Sequence, residues 1–412
     1  MQPRCIFQDN PEDWQKEASC MRDVYSQAVC CIAATAAENG NVGLFIDRDS
    51  RFLVPIQIEV NWTFHEWEVL SGIFWIGCHF IPTSSAIDAA PLNRRAWVVQ
   101  ERYLSTGIIH FTQQQLFWEC HQCLVSETHP KCVPDHGLRY SPCQPQHNSM
   151  ALKSSINAAR LQRFVMPPGA VKVDMYSEAS DAYRAWIGFR SSYSGCNLTK
   201  ESDVLVALNG VAQDVAEVMG DALVAGLWKR RLLEEMCWYR TKRDLPDDTD
   251  EAQKVANWRA PSWSWASVNC SVFSDYLSGK DMAEIQILAV EQKPSGELVH
   301  ASMTMKCRLI PTLWPNTDRP WRFGPYNVNM VLDQSGPPSA KDSARALNLV
   351  ILTHHKDRKA SDHQLFGLLV APSLGQVGLY ERVGYFSTYD LNGLPELLDV
   401  HDNTKETIIK LV

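Results

Sequence analysis

The sequence lacks any segment typical of export or of membrane insertion. No run of apolar residues is long enough to cross a bilayer, and the start, Met1–Cys5, has no apolar core of a secretory signal. The 13 cysteines are scattered without the spacing of a small disulfide-stabilised fold. We therefore predict a cytoplasmic protein that has reduced thiols and no membrane span.

Positive charge is also scarce. The 39 Lys and Arg residues are outnumbered by 47 Asp and Glu residues, and the net charge of −8 argues against a nucleic-acid partner. The chain has no phosphate-binding loop, serine-hydrolase elbow, zinc-protease helix or dinucleotide-binding glycine motif. Its 412 residues, 45% of them hydrophobic, are enough for about two or three globular domains.

Cysteine and histidine do cluster between Cys120 and His147. Cys120-His121-Gln122-Cys123 and the residues that follow offer thiolate and imidazole groups, which are zinc ligands. Their order matches no zinc finger, ribbon or RING, and residues 128–150 are rich in Pro, His, Ser and Gln, as in a loop. We predict a linker over 128–150 and no metal site.

The most distinctive block of the sequence runs from Pro91 to Cys120. Asn93 is a favourable N-cap, and Pro91 ends whatever precedes it, so a helix is predicted to begin at Asn93. On this helix Arg94, Trp97 and Glu101 are separated by three and four residues and share one face.

Two interpretations of Glu101 are open. Arg94 or Arg95 could pair with Glu101 and lock the helix while Trp97 packs, because a buried carboxylate is costly unless it is paired. Alternatively, Glu101 faces a cleft and stabilises positive charge on a sugar. The residue types favour neither.

The first residues also carry signals. Asn10 and Pro11 predict a helix start, and an apolar stripe from Trp14 through Tyr25 follows. Residues 28–34 are a short apolar run and predict a buried strand. Asp9 lies at the junction of strand and helix, where it could hold a ribose hydroxyl, although a helix-entry acceptor is the favoured role. Tyr25 is predicted to be a core residue.

Further along, Thr199 is predicted to cap a helix, with Ser202 and Asp203 in its first turn. Residues 259–267 form a Pro-led turn that puts Trp263 and Trp265 on one face. These indoles could bind a base or a sugar, but packing that holds two domains together is favoured. Strands are predicted at 53–60, 285–290, 301–309, 347–352, 366–370 and 380–386.

Three of these segments resemble the fungal heterokaryon-incompatibility (HET) domain. Cys5–Trp14 resembles its "CI-x-QD-x-x-x-DW" motif, residues 94–120 its "RAW-x-x-QER-x-LS" helix with a "WEC" end, and residues 259–267 the "RAPSWSWAS" hallmark. The resemblance implies an α/β domain, TIR-like or flavodoxin-like, over 1–127. A helical section at 151–245 and a β-rich region at 255–412 follow. The family's earlier "LSY-x-WG" and "LWID" segments have no counterpart, so we expect the N-terminal strands of the domain to be missing.

The resemblance also implies a function in non-self recognition and programmed cell death. Its similarity to TIR domains implies NAD as a candidate substrate and no cofactor. Glu101 would then be the catalytic residue, with Asp9, Arg95 and Trp97 binding substrate. The alternatives are a death-signalling adaptor that self-associates or binds another incompatibility protein, and an inactive truncated form.

Overall fold

The computed structural model describes residues 10–48, 53–64, 68–76, 84–121, 123–131, 148–165, 181–241, 253–255, 257–275, 279–293, 295–315, 328–334, 339–356, 363–374, 377–388 and 394–412. The chain divides into two compact units, Met1–Ser154 and Ser155–Val412. Most of the predicted linker lies outside the described residues, and a helix already begins at Asn148.

The N-terminal unit mixes helices and strands. Its elements are α1 (Pro11–Ser26), β1 (Cys31–Ala33), β2 (Ile56–Phe64), β3 (Glu68–Ile76), a π turn (Ser84–Asp88), a 3-10 turn (Pro91–Arg94), α2 (Ala96–Leu104), β4 (Gly107–Phe111), β5 (Leu116–Cys120) and β6 (Leu124–Ser126), followed by α3 (Asn148–Val165), which continues into the second unit.

Four of these strands form one sheet in the order β1-β4-β5-β6. β1 is parallel to β4, with Cys31 opposite Ile108, and the pairs β4-β5 and β5-β6 are antiparallel. The predicted strand at 28–34 is therefore present, but its predicted burial is wrong, since Ile32 is 64% exposed. The reason is position: within the described residues β1 is the edge strand of the sheet.

A hairpin of β2 and β3 forms a separate two-stranded sheet. The strand predicted at 53–60 is thus confirmed, shifted to start after Pro55. Several of its large apolar side chains are exposed, including Ile73 at 62% and Trp75 at 66%. An isolated hairpin is marginally stable in water, and this one exposes several large apolar side chains.

The C-terminal unit begins with helices and ends with strands. The helices are α4 (Asp181–Ser194), α5 (Asn209–Met219), α6 (Leu232–Glu235), α7 (Ala340–Ser343) and α8 (Leu394–Asn403). The short strands are β7 (Leu223–Val224), β8 (Leu227–Trp228), β9 (Tyr239–Arg240), β10 (Gln253–Lys254), β11 (Val268–Asn269) and β12 (Val272–Phe273). The remaining strands are β13 (Lys280–Asp281), β14 (Glu284–Gln292), β15 (Leu298–Arg308), β16 (Ile310–Thr312), β17 (Asn329–Leu332), β18 (Leu347–Lys356), β19 (His363–Pro372), β20 (Leu379–Ser387) and β21 (Glu406–Leu411).

The described strands from β13 onward form one nine-stranded sheet. Its main path is β13-β18-β19-β20-β21-β15-β14, with β16 beside β18 and β17 beside β20. A core of aliphatic residues and Phe386 lies on it, with α8 contributing Leu397. The predicted β-rich region is confirmed. In β15, for example, Met303, Met305 and Cys307 are buried at alternate positions.

The predicted start of a helix at Thr199 is wrong. Residues Glu201–Val204 form a 3-10 turn, and α5 begins at Asn209. Asp203 is buried in that turn. The apolar residues after it are buried without continuing a single helix, so their spacing predicted burial correctly and the helix boundary incorrectly.

The predicted packing role of the two indoles in 259–267 is consistent with their burial, at 0% exposure for Trp263 and 1% for Trp265. The Trp265 indole donates to the Gly226 carbonyl oxygen at 2.8 Å, and the Trp238 indole donates to the Trp263 carbonyl oxygen at 3.0 Å. The Trp265 ring also meets the Tyr193 ring edge-on. These contacts join α4, the turn between β7 and β8 and the segment 259–267 within one unit, rather than holding two units together.

Candidate functional site

The candidate site lies where α1 packs against α2. Asn10 caps α1 as predicted, accepting hydrogen bonds from the Glu12 and Asp13 amides at 3.0 and 3.3 Å. Four residues into the helix, Trp14 reaches α2 and meets the Trp97 ring edge-on, with 6.2 Å between centroids and 87° between planes. This edge-to-face contact fixes one helix against the other.

The predicted start of α2 is wrong. Asn93 belongs to the 3-10 turn, and the α-helix begins at Ala96 with Arg95 as its N-cap residue in extended conformation. The Asn93 side-chain amide instead donates to the Ile87 carbonyl oxygen at 2.8 Å. Its hydrogen-bonding capacity therefore stabilises the preceding turn, which the local sequence pattern does not reveal.

This break in the helix separates the two arginines. The Arg94 side chain turns back and its Nε donates to the Ala89 carbonyl oxygen at 3.1 Å. The positive charge of Arg95 instead favours the ionised form of Glu101. The predicted shared face therefore holds for Trp97 and Glu101, four residues apart in α2, and fails for Arg94.

Glu101 is partly buried beside Tyr25 and Arg95, which act on its carboxylate, and beside Cys31, on which it acts in turn. The Tyr25 hydroxyl donates a hydrogen bond to its carboxylate. Burial raises the pKa of Glu101, against the opposing effects of Tyr25 and Arg95. Burial, and then the nearby Glu101 charge, also raises the pKa of the Cys31 thiol, which forms a hydrogen bond with Ser105. Tyr25, Cys31, Arg95 and Glu101 are called the Glu101 cluster below.

The Glu101 cluster combines a hydrogen-bond acceptor, the Glu101 carboxylate, with a donor, the Tyr25 phenol, that keeps its proton. Burial and the adjacent carboxylate raise the pKa of Tyr25, so the phenol remains a hydrogen-bond donor at neutral pH. A carboxyl group with a raised pKa can donate or accept a proton, and its ionised form can stabilise a developing positive charge. Perturbed titration of this kind occurs at functional sites and also in structural networks.

Three of the four predicted site residues thus come together on α2. Glu101 and Arg95 belong to the cluster, while Trp97 lies beside it with one side occupied by Trp14. Asp9 lies outside the described residues. The catalytic and substrate-binding roles of these residues stay predictions.

A second set of charged residues, which the sequence analysis does not identify, joins α2 to the sheet. Arg102 of α2 binds Glu119 of β5 through its Nε at 2.9 Å and its Nη2 at 2.8 Å, and it binds Asp88 through Nη1 at 2.6 Å. The Arg102 and His110 contacts hold the pKa of Glu119 well below its usual range, although burial acts in the opposite direction. The carboxylate therefore stays ionised in the interior.

The network continues from the Glu119 carboxylate through the His110 imidazole to the Thr35 hydroxyl. Thr35 Oγ1 lies 3.0 Å from His110 Nδ1, and His110 Nε2 lies 3.1 Å from Glu119 Oε2. The order resembles that of a nucleophile, base and acid triad. Thr35 is 0% exposed, however, and His110 1%. A substrate cannot reach them, so the network is a structural one.

One signal in the sequence could have identified part of the missed network. Glu119 is the single charged residue of the apolar segment 116–120, and a buried charge is retained when it is paired. Tyr25 was assigned to the core on its helical spacing alone. Its contact with Glu101 depends on how α1 and α2 pack, which no local pattern predicts.

No group of three or more His, Cys, Asp or Glu side chains that could hold a metal ion occurs in the described part of the chain. Cys132, His136, Cys143 and His147 of the predicted linker lie outside it. Among the described helices, none has the length and apolar character needed to cross a membrane.

Comparison with known proteins places this site in a family. Residues 3–101 match the family model described as Heterokaryon incompatibility protein (HET), a span that ends at Glu101 and includes the whole Glu101 cluster. Searches of curated proteins and of solved structures returned no match. The predicted resemblance to the heterokaryon-incompatibility domain is therefore confirmed for residues 3–101.

Proposed function

We propose that the chain acts in fungal non-self recognition and programmed cell death, as a cytoplasmic protein. The family match over residues 3–101 carries this proposal. We further propose that the domain is TIR-like or flavodoxin-like. The parallel pair β1 and β4, which lie on either side of α2 in sequence, supports this, since parallel neighbours joined through a helix build α/β layers.

In this proposal the domain descends from an enzyme that cleaves the nicotinamide–ribose bond of NAD, replacing nicotinamide by water. Glu101 would stabilise the oxocarbenium-like transition state, as carboxylates do in glycoside hydrolysis. Arg95 would contact phosphate, Trp97 would stack on a base and Asp9 would hold a ribose hydroxyl. The position of Arg95 and Glu101 in one cluster supports this assignment.

The test is inducible expression of the full chain in a filamentous fungus, with viability and cellular NAD followed together. The variants are Glu101→Gln and, as a matched control on the exposed surface of the same unit, Glu38→Gln. We expect the wild type and Glu38→Gln to kill. Loss of killing in Glu101→Gln alone supports a functional role of Glu101, and any accompanying NAD depletion that is lost with it supports the enzymatic origin. Undiminished growth of cells expressing the wild type contradicts the proposal.

A second candidate function is a non-enzymatic adaptor that signals by self-association. The exposed hairpin of β2 and β3 favours it, because Ile73 and Trp75 lie two residues apart on one face and are each more than 60% exposed. Apolar surface of this kind marks interaction sites, and a strand edge can pair with another copy.

Sedimentation of the purified chain tests self-association. We expect concentration-dependent oligomers that Ile73→Ser combined with Trp75→Ser abolishes. Ile32→Ser, which removes an equally exposed apolar side chain from β1, is the matched control and should leave the oligomers intact. A wild-type chain that remains monomeric at all concentrations argues against the adaptor.

A further inference from the structure

Cys120 and Cys123 face each other at the end of a tight hairpin. β5 finishes at Cys120 and β6 begins at Leu124, and the strand register places Glu119 opposite Leu124. One step further, the Cys120 amide donates to the Cys123 carbonyl oxygen at 3.0 Å. The two cysteines therefore occupy a backbone hydrogen-bonded position of an antiparallel pair.

The thiols of this pair are close enough to join. Their sulfur atoms lie 3.6 Å apart, and a disulfide needs about 2.05 Å. Facing residues at a hydrogen-bonded position have Cα atoms about 5.5 Å apart, inside the range of about 4.4–6.8 Å that disulfides span. Side-chain rotation alone can thus close the bond. Both cysteines are partly exposed, and the exposed His121 lies next to Cys120 in the turn.

Other described cysteines are poorer candidates for oxidation. The thiolate is the nucleophile in disulfide chemistry, and burial raises the pKa of the Cys31, Cys237 and Cys307 thiols. Cys237 and Cys307 are also buried. The pair in the hairpin combines access with a facing partner.

We propose that Cys120 and Cys123 form a thiol–disulfide exchange site that is oxidised by small organic disulfides, of which glutathione disulfide is the probe. One cysteine thiolate attacks a sulfur of glutathione disulfide, forming a mixed disulfide and releasing one glutathione thiolate. The second cysteine thiolate then attacks the protein sulfur of the mixed disulfide. The Cys120–Cys123 bond forms and a second glutathione leaves. The protein loses two electrons and two protons, and glutathione disulfide gains them.

The position of the pair links it to the interior of the domain. Cys120 directly follows Glu119, whose carboxylate binds Arg102. A bond between the cysteines would tie the end of β5 to the start of β6 beside this ion pair. We therefore expect slower amide hydrogen exchange in β5 and β6 of the oxidised chain than of the reduced chain.

The experiment uses the purified full-length chain in buffers of reduced and oxidised glutathione. After acid quenching and alkylation of free thiols, mass spectrometry of the peptide that contains both cysteines measures the oxidised fraction. We expect conversion to the internal disulfide as glutathione disulfide increases, with full return on reduction. Cys120→Ser and Cys123→Ser should each stop at one bound glutathione on the remaining cysteine. Cys20→Ser, which changes another partly exposed cysteine of the same unit, is the matched control and should oxidise like the wild type.

Two outcomes overturn the proposal. One is a folded wild-type chain in which both thiols remain reduced in excess glutathione disulfide. The other is stoichiometric zinc that protects both thiols from oxidation and is lost in Cys120→Ser and Cys123→Ser, which would make the pair half of a metal site. Because the decisive measurement is made on the wild type, it does not depend on the variants being folded.

Discussion

Arg102 and Glu119 connect the helix and the end of the most distinctive block of the chain, Pro91–Cys120, through a buried ion pair, with Arg102 Nη2 2.8 Å from Glu119 Oε2. Arg102 belongs to the helix α2 and Glu119 to the strand β5, 17 residues further along. Their side chains are 9% and 2% exposed. The pair therefore aligns helix and sheet, and thereby positions Glu101, the neighbour of Arg102 in sequence.

Removing one partner of this pair should be costly. We expect Arg102→Met to lower the free energy of unfolding by about 3–5 kcal/mol, because it leaves the Glu119 charge buried without its main partner. Urea unfolding followed by circular dichroism measures the loss. Arg48→Met, which breaks the more exposed pair with Glu127, should cost about 1 kcal/mol or less. Equal effects for the two variants would contradict the structural role.

The same pair predicts how stability responds to acid. The folded-state pKa of Glu119 is depressed, so its contribution is fully present above the ordinary Glu pKa. It is lost as the pH falls through the depressed value. Glu119→Gln should therefore be less stable than the wild type at neutral pH, and the difference should shrink in acid. A stability difference between the wild type and Glu119→Gln that stays constant as the pH is lowered would contradict this prediction.

The stability contribution of Glu101 should depend on pH in the opposite direction. The folded-state pKa of Glu101 is raised, so its contribution is fully present below the ordinary Glu pKa and is lost as the pH rises through the folded value. At neutral pH we expect Glu101→Gln to change stability by about 1 kcal/mol or less while it abolishes killing. Unfolding of the variant would make Glu101 a structural residue, and a folded variant that still kills would favour the adaptor.

The purified chain itself should hydrolyse NAD weakly or not at all. The Trp97 ring already meets the Trp14 ring, and the Glu101 carboxylate already accepts a hydrogen bond from Tyr25, so both predicted groups are engaged within the domain. Chromatography of NAD and nicotinamide after incubation with the chain provides the measurement. Rapid release of many nicotinamide molecules per chain would refute this expectation.

Gly226 should not tolerate a side chain. Its φ is +85°, and an added Cβ would lie 2.9 Å from the Trp265 indole nitrogen. For Gly226→Ala we expect a loss of about 1–2 kcal/mol from the left-handed backbone alone, with displacement of Trp265 in addition. Thermal unfolding compares it with Gly40→Ala, where nothing lies within 4 Å of the added Cβ. Similar melting temperatures for the two variants would be inconsistent with the strained turn.

The sequence predicted those features that depend on neighbouring residues. The Asn10 cap, the strands of the C-terminal sheet and the burial of Trp263 follow from capping chemistry, alternation and residue type. Features that depend on distant partners were missed. The residue type of Asn93 predicts a cap, but its side chain instead donates to the Ile87 carbonyl oxygen. That bond depends on the π turn at Ser84–Asp88, which the local sequence does not indicate. The Tyr25–Glu101 contact depends on packing between helices, and no periodicity encodes it.

The distribution of tryptophan sets the optical behaviour of the chain. Trp186, Trp228, Trp238, Trp263 and Trp265, all in the C-terminal unit, are at most 1% exposed, whereas Trp75 of the N-terminal hairpin is 66% exposed. Indoles shielded from water emit at shorter wavelengths than hydrated ones. The short-wavelength emission of the folded chain should therefore report mainly the C-terminal unit.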